Sequence, residues 1–314
     1  MATVTFLLPA AEAFGAQRLG QDGAAHLGRA DRLPPVEAGR RPQLLRHFKL
    51  LPRHWPIAAL SRQADAGDAT GAAWLRADPA WVRPDINGAR LLACGQDLQL
   101  SADDTAALIQ ALRPIFGDAG CPIDAPHPAR WYLRLPAGAS LPESVPPAEA
   151  LGTDLGDHLH GEGTIPRRWR ALLSEAQIIL HNHPLNAERA ARGLSPVNSL
   201  WFWGGGVLPD QVETGHSAVL TAEEELHALS LAADARVAEL PPAFDPDSPA
   251  TLVDLRALRD LRLFAEAWLM PALEAIAGGR LAGLTLDLED GTGHRFGRRQ
   301  RMRFWRRART SLAQ

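Results

Sequence analysis

The stretch Asn198-Ser-Leu-Trp-Phe-Trp-Gly-Gly-Gly206 places two tryptophans at alternate positions and three glycines directly after them. Successive side chains of a strand point to opposite faces, so Trp201 and Trp203 share one face and the neighbouring Leu and Phe take the other. A strand that is apolar on both faces is typical of a mostly parallel sheet covered by helices. We therefore predict a buried strand over residues 199–203 and a turn at the glycines, residues 204–206.

The glycine triplet has two interpretations. In open parallel sheets, ligands bind where loops leave the carboxyl ends of strands, and a glycine-rich backbone lets amide groups approach an anion such as phosphate. Alternatively, the glycines only permit a sharp turn beneath packed tryptophans. The approach to the strand, residues 181–198, is unusually polar, with two His, three Asn and two Arg. Arg189 and Arg192 have helical spacing and either present a fork to a carboxylate or phosphate or pair with surface acids.

Composition bounds the class of protein. With 314 residues, 46% of them hydrophobic, the chain is long enough for one large domain or two modest ones. A formal charge of -3 gives no global signature of nucleic-acid binding. Cys94 and Cys121 lie too far apart for a metal-binding pair, and we expect reduced thiols. The first ten residues have no basic start typical of a signal peptide, and no apolar run approaches about 20 residues, so we expect a cytoplasmic protein with no membrane partner.

The stretch from about residue 76 to 136 has the pattern of a small α+β unit. Strand patterns cover residues 89–94 and 130–135. Between them, a helix is predicted to begin at the capping sequence of Ser101 and to end at Pro114.

A proline-rich linker, Leu141-Pro-Glu-Ser-Val-Pro-Pro147, closes this unit, and the pattern then changes. Strand, helix and strand follow one another closely between residues 217 and 240, which predicts a parallel βαβ crossover. Residues 284–298 have the pattern of a β-hairpin. The predicted domains are an α/β core over 1–75 and 148–314 and an inserted α+β domain with its linker over 76–147.

Longer runs of residues resemble known protein families. The run His183-Pro-Leu-Asn-x-x-Arg189-x-x-x-Gly193-x-x-Pro196-Val-Asn198-Ser-Leu-Trp201-x-Trp203-Gly204-x-Gly206 resembles a segment of the archaeal-type cofactor-independent phosphoglycerate mutases. That likeness covers roughly residues 76–245 and includes Arg130 in its strand. Two further segments, Trp74-Leu-Arg-Ala-Asp-Pro79 and Arg303-Phe-Trp-Arg-Arg307, resemble the proteobacterial RpfE-type regulatory proteins, and this second likeness spans nearly the whole chain.

The mutase resemblance implies an alkaline-phosphatase-like α/β core, a smaller inserted domain and a serine nucleophile beside two divalent metals held by Asp and His. This chain departs from that pattern. A buried strand is predicted over Val4 to Leu8, and Pro9-Ala-Ala-Glu12 follows it where the family has Asp-Gly. Gly152-Thr-Asp154 stands where the family has Pro-His-Asp. Late in the chain, only Asp245-Pro-Asp247 and His294 stand out as ligand candidates. Because hard cations need several oxygen or imidazole ligands, we expect a lost catalytic centre and no cofactor.

These observations favour a non-catalytic regulator that binds a small phosphorylated or carboxylated metabolite. The predicted ligand-binding residues are Arg130, His183, Asn186, Arg189, Asn198, Trp203, Gly204, Gly205 and Gly206.

Two alternatives stay open. One is an active metal-dependent phosphoglycerate mutase or phosphatase with rearranged ligands, for which the candidates are Glu12, Asp154, Asp157, His158 and His160. A zinc site at His181 and His183 has no adjacent third ligand.

The other alternative is binding of nucleic acid or a protein partner through the arginine-rich residues 295–309, which are interleaved with Phe296, Phe304 and Trp305. A solvated surface explains these arginines equally well, with Phe304 and Trp305 anchoring the segment to the core. Nucleic acid is the less expected partner.

Overall fold

A computed structural model describes residues 3–85, 88–136, 138–142, 144–152, 167–248 and 250–313. The chain forms two compact units, the first made of Met1–Lys49 and Gln211–Gln314 and the second of Leu50–Asp210. The boundaries at 75/76 and 147/148 both fall within the second unit of this division, and the assignment of the two domains stays a prediction. In the described part of the chain, no helix combines the length and the apolar character needed to cross a bilayer.

The first unit is built on a seven-stranded sheet in which most strands are parallel. The strand order is Arg236–Ala238, Ala218–Leu220, Leu252–Asp254, Thr3–Leu8, Gly283–Leu288, Gly293–Gly297 and Asp31–Arg32. The first five strands run parallel to one another, and the last two pair antiparallel. The predicted βαβ crossover is confirmed, because the helix Glu224–Ala232 joins two adjacent parallel strands. The predicted hairpin is also confirmed, because Gly283–Leu288 pairs antiparallel with Gly293–Gly297.

The core of the first unit lies around its central strand, Thr3–Leu8. Val4, Phe6 and Leu8 are buried, and the ring of Phe6 packs edge-on against Trp268 with centroids 6.0 Å apart. The helical segments of this unit are Ala11–Phe14, Gln21–Arg29, Arg40–Leu45, Glu224–Ala232, a continuous run of Leu261–Leu263, Phe264–Leu269 and Met270–Ala277, and the turn Arg298–Met302. Phe48–Leu51 and Gln211–Thr214 are two further short strands.

The second unit is built on an antiparallel sheet, which corrects one prediction. Its long strand Ala73–Asp85 pairs antiparallel with Gly88–Cys94, Arg130–Leu135 and Ser199–Val207, and Ile123–His127 adds to the edge. The helices of this unit are Ile57–Ala66, Gly95–Leu98, Ala102–Asp118, Pro147–Ala150, Arg167–His181 and Leu185–Ala191. The strand with the two tryptophans is buried as predicted, but it belongs to this sheet and not to a parallel one.

The helix that begins after Ser101 continues beyond its predicted end at Pro114. The cap itself is confirmed, because the backbone N–H of Asp104 donates to Ser101 Oγ at 3.0 Å. The helix runs to Asp118. Proline removes one backbone hydrogen bond, but continuing the helix buries Phe116 completely. Side-chain burial therefore outweighs the helix-breaking tendency of the proline.

The glycine triplet is not a turn: the strand continues through it to Val207. A Cβ at Gly206 would lie 2.6 Å from Pro56 Cβ, and one at Gly205 would lie 3.0 Å from Leu141 Cδ1. Gly204 adopts a φ of +67°, with Ile57 Cβ 3.4 Å from the place of its missing Cβ. The glycines thus let the strand approach the start of the helix Ile57–Ala66 closely, a common reason for glycine inside a strand.

We expect Gly206→Ala to destabilise the second unit by about 1–3 kcal/mol, because the added methyl group overlaps the rigid ring of Pro56. Urea unfolding followed by tryptophan fluorescence measures this change. Gly117→Ala is the matched control, since Gly117 lies in a helix with nothing within 4 Å of an added Cβ. That control should be neutral or stabilising by about 0.5–1 kcal/mol. Equal stability of Gly206→Ala and the wild type would contradict the packing explanation.

Candidate functional site

Polar side chains gather where the parallel strands of the first unit end. Asp254 is the last residue of Leu252–Asp254, and Thr221 directly follows Ala218–Leu220. Asp287 lies one residue before the end of Gly283–Leu288. Open α/β sheets bind their ligands outside the carboxyl ends of their strands. We refer to the polar groups around Thr221, Asp254 and Asp287 as the carboxyl-edge cluster and take it as the candidate site.

A buried arginine occupies one half of this cluster. Arg256 is 4% exposed, and its Nε and Nη2 atoms each donate to Asp254 at 2.8 Å. Nη2 also donates to Glu223 at 3.3 Å, and Thr221 Oγ1 donates to Asp254 Oδ2 at 2.9 Å. Burial by itself raises the pKa of Asp254, but the hydrogen bonds and charge of Arg256 outweigh it and hold that pKa below its ordinary value. Asp254 is therefore an ionised carboxylate neutralised by a guanidinium.

A second arginine extends this network. Arg40 Nη2 lies 2.8 Å from Glu223, and Arg40 Nε lies 3.6 Å from Glu225. Glu225 is buried, and burial together with the charge of Glu223 raises its pKa to about 7. Two guanidinium groups thus face three carboxyl groups, namely those of Asp254, Glu223 and Glu225. Protonation of Glu225 brings the positive and negative charges into balance.

Asp287 anchors the other half of the cluster. Arg46 forms a bidentate interaction with this carboxylate, in which Nε donates at 3.0 Å and Nη2 donates at 2.5 Å. His47 Nε2 lies 2.8 Å from the same carboxylate, and His47 Nδ1 lies 3.0 Å from His216 Nε2. Burial, followed by the charge of His47, lowers the pKa of His216 to about 4, so His216 is neutral at physiological pH. Gln43 Nε2 bridges the backbone oxygens of Leu8 and Asp287 at 3.1 and 2.7 Å.

The paired divalent cations implied by the mutase resemblance do not fit these donors. Among the residues that the structure describes, no group of three or more His, Cys, Asp or Glu side chains is placed to hold a metal ion. The carboxylates of Asp254 and Asp287 each bind a guanidinium, whose positive charge opposes a cation at the same oxygens. Of the rearranged-ligand candidates, Glu12 is exposed, whereas Asp154, Asp157, His158 and His160 lie outside the described residues.

Most of the predicted ligand-binding residues before the tryptophan strand serve local structure. Arg189 is fully buried and donates to Ser195 O at 2.9 Å, to Asp104 at 3.2 Å and to Leu98 O at 2.5 Å. Asn186 exchanges hydrogen bonds with the backbone of Val197 at 2.9 and 3.0 Å. The carboxylate that Arg189 contacts is therefore internal, and both side chains fix the loop that leads to the strand.

Asn198 and His183 are likewise bonded within the protein. Asn198 accepts from Val82 N at 2.8 Å and donates to Val82 O at 2.7 Å, so its side chain imitates a strand backbone. His183 Nδ1 accepts from Leu185 N at 3.2 Å.

Trp203 belongs to a buried charged cluster that was not predicted from the sequence. Its Nε1 donates to Asp78 Oδ2 at 2.6 Å, and Arg76 Nε donates to Asp78 Oδ1 at 2.8 Å. The Arg76 guanidinium lies 5.0 Å from the centre of the Trp203 ring system. Arg130 grips Asp65 with two hydrogen bonds of 2.7 Å.

The structure thus brings Trp203 and Gly204 to Gly206 together on one strand and places His183, Asn186, Arg189 and Asn198 along its approach. Arg130 lies in a different strand of the same sheet. A ligand-binding role for these residues stays a prediction.

The residues of the carboxyl-edge cluster were not predicted from the sequence, and the reasons are physical. Asp254 and Asp287 each stand in a short apolar run, and a single carboxylate near the end of such a run is the signal that could have found them. Arg40, Arg46 and His47 come from a stretch without periodicity, where nothing in the sequence indicates their partners.

Sequence comparisons give short matches to one group of enzymes. A 2,3-bisphosphoglycerate-independent phosphoglycerate mutase of Methanothrix thermoacetophila is 31% identical over 104 residues, which are 32% of this chain and 26% of that protein. A probable mutase of the same kind from Geobacter sulfurreducens is 39% identical over 66 residues, which are 21% of this chain and 16% of that protein. This chain therefore spans about a quarter or less of the length of these curated relatives. No family model matches it.

Two solved structures superpose on most of this chain. The solved structure of a Pyrococcus horikoshii protein superposes with a TM-score of 0.50 at 10% identity, covering 96% of this chain and 92% of that one. A cofactor-independent phosphoglycerate mutase of Thermoplasma acidophilum gives a TM-score of 0.44 at 17% identity, covering 95% and 90%. The predicted α/β fold class with a mostly parallel sheet is confirmed by the strand pairing of the first unit. The chain is homologous at low identity to archaeal-type cofactor-independent phosphoglycerate mutases.

Proposed function

We propose that this phosphoglycerate-mutase-like protein has lost metal-dependent phosphoryl transfer and acts as an RpfE-type regulatory protein that binds a small phosphorylated or carboxylated metabolite. The observation that carries the proposal is the buried guanidinium of Arg256, hydrogen-bonded to the strand-end carboxylate Asp254 at 2.8 Å. Arginine stays protonated at all physiological pH values. A permanently charged guanidinium, paired with Asp254 and Glu223, therefore lies at the edge of the sheet where open α/β folds hold their ligands.

The electrostatics of the cluster support the loss of phosphoryl transfer. A metal-activated nucleophile needs several free carboxylate or imidazole donors around the cation. Here the arginines neutralise Asp254 and Asp287. Both ring nitrogens of His47 are engaged in hydrogen bonds, one with Asp287 and one with His216. An active enzyme with rearranged ligands remains the competing function, and metal analysis of the purified protein distinguishes the two.

The same arginines support binding of an anion. Arg40 and Arg46 keep about a quarter or less of their side chains exposed, at 24% and 21%. Arg256 Nη1 is buried without a hydrogen-bond partner among the described residues. Planar guanidinium forks recognise carboxylate and phosphate groups with paired hydrogen bonds. The RpfE-type assignment itself is supported by the sequence likeness at residues 74–79 and 303–307, and a cytoplasmic location stays a prediction.

We expect 3-phosphoglycerate to bind the wild-type protein in calorimetry and to bind Arg40→Gln about tenfold more weakly, because one charged fork is removed while the side-chain length is roughly kept. Arg262→Gln is the matched control, since Arg262 is 81% exposed in its side chain and belongs to the same unit. Arg130→Gln tests the residues predicted around the tryptophan strand. If 3-phosphoglycerate binds more weakly to Arg130→Gln but not to Arg40→Gln, the ligand binds near the tryptophan strand and not at the carboxyl-edge cluster.

If neither 3-phosphoglycerate nor other small phosphorylated acids bind at millimolar concentration, the proposed binding of a phosphorylated metabolite is wrong. A separate assay for interconversion of 2- and 3-phosphoglycerate with added Mn²⁺, Mg²⁺, Co²⁺ or Zn²⁺ addresses catalysis. We expect no turnover. Measurable turnover with stoichiometric bound metal would contradict the loss of the catalytic centre.

A further inference from the structure

The arginine-rich segment presents its largest apolar side chains to solvent. Phe304 is 79% exposed, Trp305 is 69% exposed and Met302 is 74% exposed. The rings of Phe304 and Trp305 contact each other edge to face, with centroids 5.3 Å apart and an interplanar angle of 82°. These aromatic residues therefore do not anchor the segment to the core, contrary to one of the sequence-based interpretations.

Other groups hold the segment in place on both sides of the exposed rings. Arg303 forms an ion pair with Asp31, and Arg306 Nη1 donates to Ala30 O at 3.0 Å. Further along, Leu312 is 2% exposed. Because the residues that flank Phe304 and Trp305 are bonded to the first unit, the two rings are displayed from an anchored backbone.

An apolar cavity of about 180 Å³ opens beside this segment. Gln300, in the turn Arg298–Met302, is one of its lining residues. Its apolar lining includes Leu273, Ile276, Ala277 and Phe296. An apolar cavity of about 150 Å³ is large enough to hold a benzene ring. This cavity therefore has room for one aliphatic or aromatic side chain.

The surroundings carry positive charge that the first unit does not neutralise. Arg298, Arg299 and Arg307 are exposed. In the described residues, none of the three side chains has a hydrogen bond or ion pair. Exposed aromatic residues, Met and Arg are the residue types enriched at the centres of protein interfaces, and an unneutralised basic patch favours an acidic partner.

We propose that Met302, Phe304, Trp305 and the neighbouring cavity form a docking surface for an acidic segment of a partner protein that carries one apolar anchor side chain. The anchor fills the cavity, the exposed rings pack beside it, and the arginines pair with the acidic residues. A single-stranded nucleic acid fits less well, because two perpendicular rings offer no common platform for successive bases. A bilayer surface has no protruding side chain to fill the cavity.

The test uses the full chain and labelled short synthetic peptides, followed by fluorescence anisotropy. The peptides combine glutamates and serines with one central Leu, Phe or Trp; their controls replace the central residue by Ala or the glutamates by lysines. We expect only peptides with both features to bind, with an affinity that falls as salt rises. The double variant Phe304→Ala/Trp305→Ala should lose about tenfold or more in affinity.

Two further variants sharpen the result. Ile178→Ala is the matched control, because Ile178 is also a large apolar side chain, 64% exposed, in the other unit, and it should bind like the wild type. Ala277→Phe fills the cavity and should abolish the preference for an apolar anchor, with circular dichroism confirming that the variant is folded. The proposal is overturned if no acidic peptide binds or if the double variant binds equally well. Binding of an oligonucleotide or of phosphatidylglycerol vesicles, lost in the double variant while peptides fail to bind, overturns it as well.

Discussion

Replacing Asp78 with alanine is expected to destabilise the second unit by about 3–5 kcal/mol, the range for removing one partner of a buried ion pair. Arg76 and Asp78 are 1% and 2% exposed, and their side chains are joined at 2.8 Å. Without the carboxylate, the guanidinium keeps its charge inside the protein, and Trp203 Nε1 loses its acceptor. Both groups were desolvated on folding, so water does not replace the contacts that they lose with Asp78.

Urea unfolding followed by tryptophan fluorescence measures the effect, since the indole N–H of Trp203 and the backbone N–H of the buried Trp131 both donate to Asp78. Asp85→Ala is the matched control, because Asp85 is paired with Arg90 at the surface, where such pairs contribute about 0–1 kcal/mol. A second comparison replaces both members of the buried pair, as Arg76→Met/Asp78→Leu. We expect this double variant to be more stable than Asp78→Ala, because it leaves no uncompensated charge. A loss below about 1 kcal/mol in Asp78→Ala would show that the pair is not the structural centre of the strand packing.

Arg256→Met should destabilise the first unit by about 3–5 kcal/mol near neutral pH, because it leaves buried carboxylates without their cation. In the wild type, Arg256 is the main reason that the pKa of Asp254 lies below its ordinary value in spite of burial. A depressed carboxyl pKa contributes stability above about pH 4, and that contribution is lost as the pH falls through the folded-state pKa. Arg256 also lowers the pKa of Glu225, so its removal favours protonation there too.

The stability difference between wild type and Arg256→Met should therefore be largest near about pH 8 and shrink toward about pH 4, as the orphaned carboxyl groups take up protons. Urea titrations at several pH values give this profile. Arg256→Lys separates charge from geometry, since lysine keeps the cation but cannot form the two-pronged contact with Asp254. Arg262→Met, on the exposed Arg262, controls for the loss of surface charge. A pH-independent difference would contradict the assignment of Arg256 as the counter-ion of the cluster.

The strand Ser199–Val207 was predicted only in part from the sequence. Alternation placed Trp201 and Trp203 in a buried strand, and both are less than 4% exposed. The same pattern could not tell a parallel sheet from an antiparallel one, because apolar residues on both faces report only that both faces are covered. The glycines were then assigned to a turn, whereas their function in packing depends on Pro56 and Leu141, which are distant in sequence.

By itself, the sequence determined the elements whose signals are local. The Ser101 cap, the βαβ crossover between residues 217 and 240 and the hairpin near the end were predictable because capping, periodicity and short connections act within a few turns of chain. Likeness to the mutases indicated the fold class. These signals need no knowledge of what packs against each element.

Only the tertiary structure decided which polar groups meet. Thr221, Asp254 and Asp287 converge because parallel strands align their carboxyl ends, and Arg40 and Arg46 reach them from a segment with no periodic pattern. Strand order and register are set by hydrogen bonds and burial between residues far apart in sequence, so side-chain partners across the sheet leave no trace in local spacing. For this protein, local sequence indicated several strands but not Leu252–Asp254, and strand pairing placed a guanidinium beside the carboxylate at the end of that strand.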